Sequence, residues 1–472
     1  MKRIFKSLIF LLFLGNVITI HAQHLNSSYF LKGMTYRHEL NPSFLNESNY
    51  LNLPFFVLGN LNIGTQGNIG VSNFLYPYNQ NGYELTTFMN PMVDSQAFLG
   101  GLKSMNSLNV NLSMPIISMG FKSFGGFSTI GINLHSYTNV NLPYGLFEFL
   151  KCGMYDENGS TYHVDDLSIR TNNYVELALG HSHEIIPEQL SIGAKVKFIV
   201  GAANADAYIR NMNIHMAQDV WNIQAEGIVE GSLQGASFKT KEPNEQGQRE
   251  VSGFNMGTPG IGGFGLGFDL GANYKFQGVL EGLNVSAALL DLGFIRWKSS
   301  IRANMQNEYT FKGFQTPISI DGDKNKKLED ELDQIGEDMQ EFIKFYDNGN
   351  VAGRTTKLAT TMNIGVEYAL PWYKNLTFGL LSSTHFNKPF TWSEARISAN
   401  IAPTKGIEVA VNYAISKFGS SFGYVVNFHP RGFNFFIGMD HLTTKFTPQF
   451  LPVNKMNFNL CAGFNVTWGK DR

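Results

Sequence analysis

Nine charged residues fall on the polar parity of otherwise alternating segments: Glu176, Lys195, Lys197, Asp269, Lys275, Glu367, Glu394, Arg396 and Glu408. Residues of one parity on a strand share a face. Charges of both signs on such a face can brace one another, or they can line a path or ligand site for a polar group, and the spacing leaves both roles open. Two other patterns resemble metal sites and fail. Asp321-Gly322-Asp323-Lys324-Asn325 opens like a calcium loop, but Lys326 stands where glycine is required and Leu332 where a bidentate glutamate should close the shell. His181-Ser182-His183 offers two imidazoles with no third ligand nearby. Cys152 and Cys461 form no CxxC, and Cys461 sits inside an alternating segment, which argues against a bridge. No GxSxG and no glycine-rich phosphate loop stands in the strand–turn–helix setting that either chemistry needs. The reading is therefore no catalytic residues, no metal, no cofactor and no enzyme.

The elements that carry the charges explain their placement. Only 16% of the residues are charged, against about 25% in ordinary soluble domains, while 13% are aromatic and 48 are glycine. Mean hydropathy is −0.11, and beyond the N-terminus no apolar run has the length of a membrane helix. Apolar residues are instead spread singly. Phe458, Leu460, Ala462, Phe464, Val466 and Trp468 alternate with Asn457, Asn459, Cys461, Gly463, Asn465 and Thr467, and Phe264–Phe276 and Leu190–Val200 alternate in the same way. A soluble sandwich also alternates, but these runs are long for one, and their second face is rich in Asn and Gly. An outward face on lipid and a wet lumen account for both, and charges facing lipid would cost about 2–4 kcal/mol each at midplane for Lys or Arg.

Strands are expected near 57–72, 107–121, 127–142, 174–183, 189–201, 263–276, 282–295, 358–370, 375–386, 391–402, 407–416, 420–429, 432–441 and 456–468. Tight connections at Lys122–Gly126, Glu184–Glu188, Gln277–Glu281, Pro371–Lys374, Pro403–Gly406 and Pro430–Arg431 fall at every second junction. This is the pattern of a transmembrane antiparallel β-barrel with periplasmic turns, long extracellular loops and both ends in the periplasm. The count is 14, or 16 if strand-like sequence in 202–262 (Trp221, Ile223, Ala225) crosses the membrane. The extracellular insertions are 73–106, 143–173, 202–262 and 296–357. Within them Leu142–Leu150 reads as an amphipathic turn of helix, and Leu328–Ile343 as a surface helix.

Lys2, Arg3 and Lys6, the apolar stretch to Ile20, and Ala22 form a signal peptide over 1–22. Export to the outer membrane follows, with outer-membrane lipid and the barrel assembly machinery as partners. Cleavage removes three of 36 basic residues and none of 38 acidic ones, a balance unsuited to nucleic acid. Residues 23–56 precede the barrel (57–472), with length enough to fold into its lumen as a plug; the alternative is a periplasmic tail. Within them Asn41, Pro42 and Phe44 are the candidate plug or ligand residues.

The chain resembles a large Bacteroidota family of outer-membrane β-barrels of unknown function. The likeness rests on Tyr36-Arg37-His38-Glu39-Leu40-Asn41-Pro42-Ser43-Phe44, Leu58-Gly59-Asn60-Leu61-Asn62, Ala178-Leu179-Gly180-His181-Ser182-His183, Gly262–Gly267 and Asp291-Leu292-Gly293-Phe294. It is more distantly similar to the long-chain fatty-acid transport porins, which are 14-stranded with an N-terminal hatch and an Asn-Pro-Ala motif; Asn41-Pro42-Ser43 carries Ser for Ala. A similar element opens barrels associated with type IX secretion, so the motif does not separate the two. The resemblance implies a plugged channel for a small or hydrophobic molecule. The alternative is a structural or assembly barrel that anchors partners through its large loops.

Overall fold

The computed structural model describes residues 25–52, 61–77, 85–154, 159–218, 220–255, 257, 258, 260–305, 308–311, 344–442 and 456–469. The signal peptide, the Leu58-Gly59-Asn60 stretch, the calcium-like loop at Asp321 and the helix expected over Leu328–Ile343 lie outside the described residues.

Long alternating strands pair in sequence order and close on themselves as a 14-stranded antiparallel barrel. They are β1 (Asn49–Asn52 and Leu61–Gly67), β2 (Met105–Ser123), β3 (Gly126–Pro143), β4 (Leu167–Ile186), β5 (Leu190–Met216), β6 (Gly263–Lys275) and β7 (Leu283–Trp297). The second half comprises β8 (Thr360–Leu370), β9 (Tyr373–Phe386), β10 (Trp392–Thr404), β11 (Ile407–Ser416), β12 (Gly419–Phe428), β13 (Phe433–Met439) and β14 (Phe458–Trp468). Closure is made by β1 on β14, with Asn49 opposite Trp468 and Leu61 opposite Ala462. Among the described residues, this closure leaves the 14 barrel strands with no open seam.

Alternation sets the two faces. Leu177, Leu179, Ile192, Phe198, Leu266, Phe268, Leu270, Phe378, Leu380, Ile397 and Phe422 are exposed around the outside, while their neighbours in sequence are buried. Alternation thus gives the barrel a continuous apolar exterior.

The first strand begins at Asn49, ahead of the expected start near 57, because Tyr50-Leu51-Asn52 already pairs with Ser118–Gly120 of β2. The 202–262 insertion adds no strand to the closed ring of 14. The near half of β5 pairs with β6, from Leu190 opposite Tyr274 to Gly201 opposite Gly263. Its far half, Ala203 to Met216, pairs with Trp221–Leu233. That strand in turn pairs with Ser299–Met305, which pairs with Phe345–Ala352. The two largest insertions thus extend one side of the wall beyond the barrel rim. Beside this extension the helix Tyr144–Cys152 buries Phe147 and Phe149, in line with the amphipathic reading of Leu142–Leu150. Cys152 and Cys461 are not joined in a disulfide.

Candidate functional site

Residues 25–48 lie inside the barrel, and their contacts reach strands distant in sequence. Leu25, Leu31 and Met34 pack on Ala410, Val425 and Phe436, while Tyr29, Phe30, Leu40 and Phe44 cluster with Leu381. Asp440, just past β13, accepts from the Asn26 amide at 2.8 Å and the Ser27 amide at 2.6 Å. Glu408 receives the Gly33 amide at 3.0 Å on both oxygens. Glu39 pairs with Lys195 at 2.9 Å. Each anchor is a polar side chain of the wall meeting backbone or charge of the segment, without strand pairing.

Asn41, Pro42 and Ser43 make the tightest of these seats. The Asn41 side-chain oxygen accepts from the Ser43 amide at 3.0 Å and its hydroxyl at 2.7 Å, closing an Asx turn. The Asn41 amide nitrogen donates to the Ala272 and Ala287 carbonyls at 3.4 and 3.3 Å and to the Tyr29 hydroxyl at 3.3 Å. The turn lies on Gly193 and Gly271, which face each other across β5 and β6. A Cβ at Gly193 would stand 2.0 Å from the Pro42 carbonyl oxygen, and one at Gly271 would stand 2.1 Å from Asn41 Oδ1. The glycines are required by this close approach. Phe44 lies under the Arg37 guanidinium, 4.0 Å from ring centroid to Cζ.

Of the nine charged residues read from parity, eight are buried on the inner face, and seven of these lie in or beside three groups. In the first, Lys197 Nζ stands 2.6 Å from Asp291, 3.0 Å from Asp269 and 4.0 Å from Glu176. His135 lies 3.3 Å from Glu176. Lys195, beside this group, is bound to Glu39 of the inner segment. In the second, Arg396 pairs with Glu394 at 2.7 Å and Asp440 at 3.4 Å, and donates to Ser27 Oγ at 3.1 Å and to Asn412. In the third, Glu408 takes Asn427 at 3.1 Å as well as Gly33. Glu367 lies apart from these, beside Asn284 at 3.4 Å. Lys275 is the exception: it shares the inward parity but is exposed where β6 ends, clear of all three groups. His181 and His183 also stand apart, on the outer face beside the first tight turn, where His181 meets Ser128 at 2.9 Å.

Sequence reasoning missed Asp291, His135 and Asp440. Asp291 sits at φ 58°, opposite a register shift between Phe268 and Leu270, so the bulge breaks the parity that identified the others. Its signal was the Asp291-Leu292-Gly293-Phe294 motif. Between the inner segment and the wall, a cavity of about 480 Å³ opens at the short-turn end, lined among others by Phe30, Lys32, Glu367, Asn400, Lys405 and Glu408. At this end Lys374 donates to Glu281 at 2.7 Å, which holds the glutamate carboxyl below its ordinary range.

The model of a family of unknown function, DUF5723, matches residues 42–440. The chain belongs to this family. Its match takes in Pro42, the wall glycines and every inward charge named above. No curated protein matches the chain. Among solved structures it is similar to the Ralstonia pickettii toluene transporter TbuX, at 8% identity over 93% of this chain and 95% of that one, with a TM-score of 0.41. It is also similar to the Pseudomonas putida toluene transporter TodX, at 9% identity over 95% and 94% with a TM-score of 0.39. A Pseudomonas aeruginosa FadL homologue is 11% identical over 91% and 93%, with a TM-score of 0.35.

Proposed function

We propose that this DUF5723 barrel is a plugged outer-membrane channel for a small or hydrophobic molecule, and that residues 25–48 are its plug. The observation that carries the reading is the manner of attachment. The segment fills the lumen yet is held by side-chain hydrogen bonds, ion pairs and a glycine seat, without a strand in the sheet. Such contacts contribute about 0.5–1.5 kcal/mol net each, or about 1.5–3 where a charged group takes part, and can be exchanged one at a time, whereas leaving a sheet would break a ladder at once. The short-turn end faces the periplasm and the extended wall faces outward. A molecule entering between the loops meets the plug, and its displacement joins the lumen to the periplasmic cavity. The apolar exterior supports an outer-membrane location, with lipid and the assembly machinery as partners, and the buried charges serve binding and bracing rather than catalysis. Full-length protein in liposomes should admit small or hydrophobic solutes faster than protein-free vesicles. Rates equal to those of empty vesicles across a panel of both solute types would overturn the proposal.

A further inference from the structure

Above the charged groups, towards the long loops, a row of amides crosses neighbouring strands at one level. Gln66 of β1 is directly opposite Asn109 of β2, and Asn109 is directly opposite Asn139 of β3. Asn457 stands beside Gln66, because the next residue, Phe458, pairs with Thr65. Asn139 then faces Arg170, and Arg170 faces Asp206. The four amide residues are 1% exposed (Gln66), 2% (Asn109), 6% (Asn139) and 7% (Asn457). Each nevertheless has a buried polar atom with no hydrogen-bond partner: Oε1 of Gln66, Oδ1 of Asn109, Nδ2 of Asn139 and Oδ1 of Asn457. Other such atoms occur around the lumen, among them Asn273 Oδ1, Asn400 Oδ1 and Asn412 Nδ2, but these four stand in one row. Four along one row mark a place where something else completes the bonding.

The chemistry of the row selects among ligands. Its orphaned atoms are three acceptors and one donor, each on an amide that also carries the opposite group, with the Arg170–Asp206 ion pair (2.5 Å) at the end of the row. An apolar molecule would leave all four atoms unpaired. A carboxylate or phosphate brings only acceptors and would meet three more. An ammonium brings only donors and would lie beside Arg170. A hydroxyl both donates and accepts, so several hydroxyls on one frame can satisfy the whole row. Directly opposed side chains on a sheet stand about 5 Å apart, so the row spans the length of a short oligosaccharide. The connection from β9 to β10 supplies a roof: Arg170 donates to Asn387 Oδ1 and the Lys388 carbonyl, both at 3.0 Å, and Phe390 lies 5.6 Å beneath its guanidinium.

We infer that the Asn457–Gln66–Asn109–Asn139 row binds a hydroxyl-rich ligand, a saccharide or the polyol head of an amphiphile. The inference rests on the channel reading only in taking this ligand for the cargo; binding at the row can be measured without passage. Full-length protein in an amine-oxide detergent, which carries no sugar, would be titrated calorimetrically with glucose, sucrose, maltotriose and myo-inositol, and with octanoate as a hydroxyl-free control. At least one polyol should bind saturably. Asn139→Asp keeps the shape and turns the orphan donor into an acceptor, and it should weaken that binding by roughly tenfold or more, equivalent to ~1.4 kcal/mol. Asn109→Leu combined with Asn139→Leu should abolish it, with heat-shifted gel migration showing that the barrel remains folded. No binding by any of the four polyols, or undiminished binding by folded Asn139→Asp, would overturn the inference. Polyol binding without passage of any solute of either type into liposomes would keep this site and remove the channel reading; passage without polyol binding would do the reverse.

Discussion

Gly193→Ala should open the barrel without altering a single residue of the plug. The methyl group would occupy a point 2.0 Å from the Pro42 carbonyl oxygen, where ordinary contact begins at 3.4 Å. The Asn41-Pro42-Ser43 turn must therefore withdraw by more than an ångström. Asn41 now donates to Tyr29, Ala272 and Ala287 at 3.3–3.4 Å, and these bonds are already long, so such a shift breaks them. Losing them, each worth up to about 1 kcal/mol at this length, costs the seated state about 2–3 kcal/mol. That multiplies the unseated fraction by roughly 30–150. The barrel itself loses nothing comparable, since the side chain would point into the lumen from a paired position near the start of β5. Single-channel recording in planar bilayers measures the open fraction directly, and limited proteolysis of residues 25–48 gives an independent readout. A folded Gly193→Ala barrel with native open probability and native protease resistance would refute the argument that the glycine pair seats the turn.

Other outcomes follow from the same contacts. Asp440→Ala removes the acceptor of the Asn26 and Ser27 amides and a partner of Arg396. Hydrogen bonds to a charged group are worth about 1.5–3 kcal/mol each, so cleavage near the start of the plug should speed up at least tenfold. Lys197→Met leaves Asp269, Asp291 and Glu176 without their shared cation. Breaking a buried pair this way costs about 3–5 kcal/mol, which should appear as a lower temperature for the shift from folded to unfolded gel mobility. Phe268→Arg puts a charge at the centre of β6 on the outer face. Folding into lipid vesicles should then lose about 2–4 kcal/mol, and an unchanged folding titration would show that this face does not meet lipid.

Much of the barrel was legible because a strand's faces alternate strictly and its turns are short. Phe458–Trp468, Gly263–Lys275 and Ile407–Ser416 need only parity to be placed, and the tight junctions after β2, β4 and β8 need only Gly, Pro or charge. The start of β1 was not legible, because Tyr50-Leu51-Asn52 is too short to show a period. Nor was the seat of the inner segment. Its partners, such as Asp440 for Ser27 and Gly193 for Pro42, lie more than a hundred residues away, and no local pattern links them. Lys275 shows the limit of parity: it gives the face a residue points to, but not whether the strand has already left the lumen there. The amide row is a similar case. Asn and Gln on a polar face are unremarkable in sequence, and only register sets Gln66, Asn109 and Asn139 side by side.

The central claim is that residues 25–48 close a lumen that is otherwise continuous. Planar-bilayer conductance of the full chain, compared with a folded variant lacking residues 25–48 but keeping Asn49 and the rest of β1, tests it most directly. The full chain should be closed with rare brief openings, and the deletion should conduct steadily. Equal conductance from both barrels, or a folded deletion barrel that stays closed, would contradict the account.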